Sequence, residues 1–348
     1  MRRTNQKYSL LAALLALLWL GGCSTDDIPS ASSDDTVAVP LNIGGEGLSI
    51  TRAPSDATHS VNRILILPFK KINELLPTND ASNFAPEFST ARQVDVNVFP
   101  YLGMKLNLSA ASTYQVMVLG YNRNDYDFAN QSSITRHFDI GLSGMPATLA
   151  DMAVKLVSIS NVPEFFSCMM TGSNLSVPVG GVFKPGLIDK LQGNLIRLSS
   201  GFMLDITNIP VSVTSISLVA EQLVTAINAT DGTPLQWQTA GDASVKLIGT
   251  LSPVSGRVTF NTFILPTLDA RKTLFFLDVL SGSNTVRYTL KVPDTPGVAS
   301  GNRITFSPNH WVKVTGDYSQ IDTGFTLFDN INLDDNNWDG VQNPVTNP

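Results

Sequence analysis

Few side chains in this sequence are grouped as chemistry would need them. The histidines His59, His137 and His310 stand far apart, and none has a second ligand at metal-binding spacing. The stretch Asp335-Asn336-Asn337-Trp338-Asp339-Gly340 fits the opening of a calcium loop, D-x-N-x-D-G. Where that loop needs a bidentate Glu the chain has Thr346, so the stretch reads as a polar turn after the last strand. Cys168 lies in Phe165-Phe166-Ser167-Cys168-Met169-Met170, an apolar setting that suits a buried inert thiol rather than a nucleophile. Gly141-Leu142-Ser143-Gly144 is a turn, not a nucleophile elbow, and no glycine-rich phosphate loop occurs. Paired carboxylates of the glycosidase kind cannot be picked out from sequence alone. Trp237, Trp311 and Trp338 have faces suited to sugar stacking, but they are spread along the chain and read as core or rim packing. The expectation is a protein that is not an enzyme and needs no metal or cofactor.

One cysteine does have chemistry written around it. Arg2, Arg3 and Lys7 precede an apolar run from Leu10 to Leu20, too short to span a bilayer as a helix. The run ends in Leu20-Gly21-Gly22-Cys23, which resembles a lipobox. Residues 1–22 are therefore expected to be a lipoprotein signal peptide, with lipid, palmitate included, on Cys23. Residues 23–36, rich in Ser, Asp and Pro, read as a disordered tether. Their start, Ser24-Thr25-Asp26-Asp27, resembles the acidic stretch of surface-exposed lipoproteins.

The body behind this leader is acidic. Losing the signal peptide removes those three basic residues and no acidic ones, moving the formal net charge from −6 to −9. Such a balance argues against nucleic acid as a partner. Charged residues are only 15% of the chain, and roughly 300 residues of body suggest more than one core.

Alternation dominates that body. Thr36 to Ile43, Gln93 to Phe99, Met104 to Leu108 and Tyr114 to Tyr121 read as strands, and Arg63 to Phe69 as a strand covered on both faces. One helix is expected over Pro146 to Val157, from Leu149, Met152, Ala153 and Leu156 at helical spacing. The Gly- and Pro-rich stretch Val177 to Leu191 suggests a domain boundary near 185. A second strand series follows: Leu195 to Ile206, Val213 to Ala220, Val245 to Leu251, Arg257 to Leu265, Thr273 to Leu280, Thr285 to Val292, Arg303 to Phe306 and Trp311 to Thr315. A last strand is expected over Gly324 to Leu333, with a kink or bulge at Asp329-Asn330. The fold class is all-β, as two tandem β-sandwiches over 37–185 and 186–348.

Three stretches carry a family resemblance. Val39-Pro40-Leu41-Asn42-Ile43, then Ser49-Ile50-Thr51-Arg52-Ala53, then Ile64 to Phe69 resembles the opening of the fimbrillin superfamily of Bacteroidetes. Asn194-Leu195-Ile196-Arg197-Leu198 is similar to the start of that family's second domain. Phe306-Ser307-Pro308-Asn309-His310-Trp311-Val312-Lys313-Val314 is similar to one of its late strands. The resemblance implies two transthyretin-like β-sandwiches in a fimbrial subunit, exported to the outer membrane as a surface-exposed lipoprotein and then built into a fimbrium. It implies a processing protease that cuts Arg52-Ala53 and frees a leading strand, residues 37–52. It further implies partners in other fimbrial subunits, each lending a strand. The donor here would be the tail, about 322–334, with Phe325, Leu327, Ile331 and Leu333 at alternate positions.

Arg63, Arg92 and Arg123 are also open to a protease. Within the family the apparent Arg52 site and the long tail favour a stalk or polymerising accessory subunit over an anchor or tip. The competing expectation is a surface glycan-binding lipoprotein of a polysaccharide-uptake system, which keeps its N-terminal segment and presents exposed aromatics. An exported hydrolase is the third, and no His- or metal-based site supports it.

Overall fold

The computed structural model of the chain describes residues 35–45, 61–76, 80–131, 136–173, 181–238, 245–268, 272–320, 327–328 and 331–337. Those residues are all-β, with helical structure limited to short 3-10 turns. The strands begin with β1 (Thr36–Gly44), β2 (Arg63–Lys71), β3 (Phe84–Pro86), β4 (Arg92–Asp95), β5 (Tyr101–Ser109) and β6 (Tyr114–Tyr121). Next come β7 (Phe138–Ile140), β8 (Ala153–Leu156), β9 (Phe165–Met169), β10 (Thr171–Gly172), β11 (Leu191–Asn194) and β12 (Ile196–Arg197). They continue with β13 (Ser200–Thr207), β14 (Val213–Glu221), β15 (Val224–Asn228), β16 (Pro234–Trp237), β17 (Val245–Leu251), β18 (Val258–Ile264), β19 (Leu274–Ser281) and β20 (Asn284–Leu290). The series closes with β21 (Ala299–Ser300), β22 (Arg303–Ile304), β23 (His310–Asp317), β24 (Leu327–Phe328) and β25 (Ile331–Asn337).

The described strands form five larger sheets and the two-stranded sheet β21-β22. The first runs β10-β11-β1-β5, and the second β12-β9-β6-β2-β3 with β4 also on β2. The third runs β16-β15-β8-β7, the fourth β18-β13-β23-β25 and the fifth β17-β14-β19-β20-β24.

The second sheet is a middle layer, and β2 shows why its sequence reads as continuous apolar. Successive side chains of a strand point to opposite faces. Ile64 and Ile66 join Val116 and Val118 in a core shared with Val39, Leu41 and Ile43 of β1. Leu65, Leu67 and Phe69 face the other way, onto Phe138, Val154 and Ile227 of the third sheet. The fourth and fifth sheets enclose their own core, in which Phe202 stacks on Phe275 at 4.4 Å between ring centres and Phe306 meets it edge-on.

The third sheet ties the halves of the chain together, because β15 pairs with β8 through Ala226–Asn228 opposite Ala153–Lys155. Past residue 185, β11 pairs with β1 and β12 pairs with β9. Beside that crossing Arg197 donates to Glu164 Oε1 at 2.6–2.7 Å, lies 4.8 Å from the centre of the Phe166 ring, and reaches Asn309 at 3.3 Å.

The helix expected over Pro146 to Val157 is absent. A single 3-10 turn, Leu149–Asp151, is capped by Thr148 and Asp151, and β8 follows. Leu149, Met152, Ala153 and Leu156 are all buried, but the backbone of β8 is claimed by ladders to β7 and β15. Two further expectations change. The strand from Gln93 ends at Asp95, after which Val96 is buried and Val98 is 63% exposed. The supposed turn at Asp335-Asn336-Asn337 is extended backbone, paired with Val312, Trp311 and His310.

Candidate functional site

A strand-exchange function needs a strand that is well held yet separable, and β1 is well held. It is an interior strand of its sheet. On one side it pairs antiparallel with β5, from Thr36 opposite Ser109 to Ile43 opposite Tyr101. On the other it pairs parallel with β11, from Leu41 opposite Leu191 to Gly44 opposite Asn194. Pro40 stands at a register shift between Pro40 and Asn42, a place where a residue without an N–H is tolerated. The ends are pinned as well: Ala110 N donates to Asp35 O at 2.8 Å and Leu195 N to Gly44 O at 3.1 Å.

One face of β1 is core. Val39, Leu41 and Ile43 are at most 3% exposed. Burying a side chain of this size is worth about 1.5–3 kcal/mol, so the three together contribute roughly 5–9 kcal/mol. Removing β1 would leave ladder groups of β5 and β11 unpaired beside an apolar floor of Ile64, Ile66 and Val116. Any replacement must run antiparallel to β5 and place apolar residues at alternate positions.

β1 ends at Gly44 in the first sheet and β2 begins at Arg63 in the second, so the connection between them changes layer. Arg52 and Ala53 belong to that connection and lie outside the described residues, as do Cys23 and the signal segment.

The tail is divided between two sheets. β24 lies parallel to β20, with Leu327 opposite Thr289. β25 covers the edge of β23 antiparallel, from Ile331 opposite Gly316 to Asn337 opposite His310. Of the four donor positions, Leu327 is in β24 and Ile331 and Leu333 are in β25, while Phe325 is outside the described residues.

Solved structures similar to this chain include two fimbrial proteins. One is the fimbrial anchor protein Mfa2 from Porphyromonas gingivalis, with a TM-score of 0.48 and 11% identity over 87% of this chain and 98% of that one. Another is the tip fimbrial protein Mfa3 from the same organism, with a TM-score of 0.42 and 11% identity over 86% of this chain and 98% of that one. A third is a DUF1812 protein from Bacteroides thetaiotaomicron, provisionally named as polysaccharide-binding, with a TM-score of 0.47 and 13% identity over 86% and 96%. No family model matches the chain, and none of the curated proteins matches it.

The other residues singled out from sequence have ordinary surroundings or scatter. Cys168 is buried in the same core as β1, 3.7 Å from Met170 Sδ, and burial pushes its thiol up to about 12. His137 is held between Asp125 and Asn161, each at 2.7 Å, whereas His310 opens β23 and His59 is outside the described residues. Among the described residues no group of three His, Cys, Asp or Glu side chains is placed to hold a metal. Trp237 is on β16 and Trp311 on β23, in different sheets; Trp338, Asp339 and Gly340 are outside the described residues. Sequence reasoning missed β11, whose Leu191-Gln192-Gly193-Asn194 carries almost no strand signal; its pairing with β1 and β10 reveals it.

Proposed function

We propose that this chain is a structural subunit of a cell-surface fimbria that supports adhesion and polymerises by exchanging strands. In this reading it is exported as a lipoprotein through Cys23, held at the outer membrane, and cut by a surface protease between Arg52 and Ala53. Its two halves, divided near residue 185, would be transthyretin-like sandwiches. The carrying observation is β1: an interior strand with three buried side chains, followed by a connection that changes layer and contains the proposed cut.

Cutting that connection would turn β1 from a tethered strand into a non-covalent peptide. Its release leaves an open slot, which β-strand addition from a neighbour refills, restoring both ladder and core. Contacts of this head-to-tail kind do not close on themselves and so build a filament. The tail, about 322–334, would be the donor. Phe325, Leu327, Ile331 and Leu333 share one parity in sequence with Asp329 between them, and β1 shows the same parity in Val37, Val39, Leu41 and Ile43. The register shift after Pro40 is the natural place in the slot for the Asp329-Asn330 pair. β25 would have to leave β23 of its own subunit before reaching another.

Treating the purified precursor with a trypsin-like protease tests this. The reading expects loss of residues up to Arg52 and ladders of SDS-resistant multimers. A chain that is cut elsewhere, or cut at Arg52 without assembling, contradicts it.

A further inference from the structure

The loop after β2 holds three apolar side chains out in water. Leu75 is 94% exposed, Ile72 62% and Leu76 44%. Single exposed leucines are ordinary, but three apolar side chains within five consecutive residues make a patch. The loop that carries them is firmly built. Asn73 N donates to Asn83 Oδ1 at 2.9 Å, and Asn83 Nδ2 donates back to Asn73 O at 2.6 Å. Glu74 turns toward the body, where its carboxylate accepts from Thr113 N at 3.1 Å and Thr113 Oγ1 at 2.8 Å. Beneath the loop the buried Lys71 ammonium donates to Glu74 O at 3.2 Å.

Two observations identify what covers the patch. The first is that the loop satisfies its own amides. Ile72 N donates to Asn83 O at 2.7 Å, Leu75 N to Asn73 Oδ1 at 2.9 Å and Leu76 N to Asn73 O at 3.2 Å. With Asn73 N also engaged, these N–H groups have nothing to offer a pairing strand. The same bonds remove a main cost of entering an apolar phase, which is stripping water from unpaired backbone. The second observation is place. Thr113, which holds Glu74, closes the turn after β5, and in that turn Ala110 N donates to Asp35 O at 2.8 Å. The patch therefore stands at the end of the first sheet where β1 begins. Cys23 is 12 residues before Asp35. A chain of that length spans at most about 40 Å.

We propose that Ile72, Leu75 and Leu76 form a lipid-contacting tip that dips into the membrane surface beside the anchored end of the chain. The inference takes its location, though not its affinity, from the lipoprotein reading above. The Glu74 carboxylate lies among the three, so the contact is at headgroup depth rather than in the hydrocarbon core. The tip fixes which end of the anchored precursor faces the lipid.

The test uses the mature chain with Cys23→Ser, which has no lipid of its own, and vesicles of phosphatidylethanolamine and phosphatidylglycerol. Leu75→Cys supplies a thiol for an environment-sensitive nitrobenzoxadiazole dye, since Cys168 is buried. On adding vesicles the dye at 75 is expected to shift to the blue and brighten at least twofold. The same dye on Val211→Cys, at an equally exposed apolar position, is expected to stay unchanged. The combined variant Ile72→Ser, Leu75→Ser, Leu76→Ser is expected to keep its circular dichroism spectrum and to co-sediment with vesicles at least tenfold less than its parent. A silent dye at 75, or equal co-sedimentation of the serine variant, overturns the tip. So does a serine variant that binds vesicles like its parent but no longer assembles after the cut, which would make the loop a contact between subunits. Because the probe chain carries no lipid, these outcomes strike the tip alone. The lipoprotein reading fails separately, if labelled palmitate does not enter the chain at Cys23 in cells.

Discussion

At the scale of single residues, the account rests on how much each buried side chain holds. Leu41 and Ile43 have no cavity to collapse into, since β5, β11 and the second sheet surround them. Leu41→Ala or Ile43→Ala should cost about 2–5 kcal/mol in urea unfolding of the uncut chain, whereas a change at exposed Ala38 should stay within about 0.5 kcal/mol. Arg197 is a second critical residue, because it neutralises Glu164 at a buried crossing of the chain. Removing one partner of such a pair strands the other, so Arg197→Ala should cost about 3–5 kcal/mol. Burial raises the Glu164 carboxyl above its usual 4.5, and Arg197 works against that rise. A carboxyl raised by folding stabilises the native state in its protonated form. Its contribution is full below the unfolded pKa and is lost as pH rises through the folded one. In Arg197→Met the opposing charge is gone, so unfolding curves from pH 4 upward should show the variant losing stability relative to the parent as pH increases.

At the scale of elements, the strands that could be read from sequence were those whose signal is local. β1, β2, β6, β14, β17, β18 and β19 lie within two residues of the alternating or continuous apolar runs that predict them. β8 and β11 could not be read, for opposite reasons. Leu149 to Leu156 has helical spacing, and only the ladders to β7 and to β15, the latter some 70 positions away in sequence, make Ala153–Leu156 a strand. Leu191 to Asn194 has hardly any pattern, and its place is set by β1. The candidate slot was legible in part: β1 and its buried parity followed from Val39, Leu41 and Ile43, but its interior position did not, because β11 was invisible. The polar run Asp334 to Asn337 was misjudged because an edge strand needs few apolar residues when its backbone finds a partner, here β23. The tail also gives a prediction at this scale. Ending the chain at residue 326 removes β24 and β25 but leaves β13, β14, β19 and β23 with their shared core. The shortened chain should keep its β circular dichroism spectrum and, once cut at Arg52, accept a tail peptide, yet form no SDS-resistant ladder by itself.

At the scale of the whole molecule, the question is what happens to the first core while its slot is empty. Cys168 reports on it, since it lies in the core that β1 covers. With the thiol pushed up to about 12 by burial, only about one part in ten thousand is thiolate at pH 8, and the sulfur is shielded besides. In a Cys23→Ser background, maleimide or iodoacetamide should leave Cys168 untouched in the uncut chain. It should label Cys168 quickly after the cut at Arg52, and labelling should stop once a donor strand is supplied.

The most direct test of β1 as a replaceable strand is native mass spectrometry of the Arg52-cleaved chain mixed with a synthetic peptide of residues 322–337. The account predicts that the fragment ending at Arg52 departs and one peptide takes its place in each molecule. A fragment that stays bound in the presence of excess peptide, or leaves without any peptide entering, contradicts it.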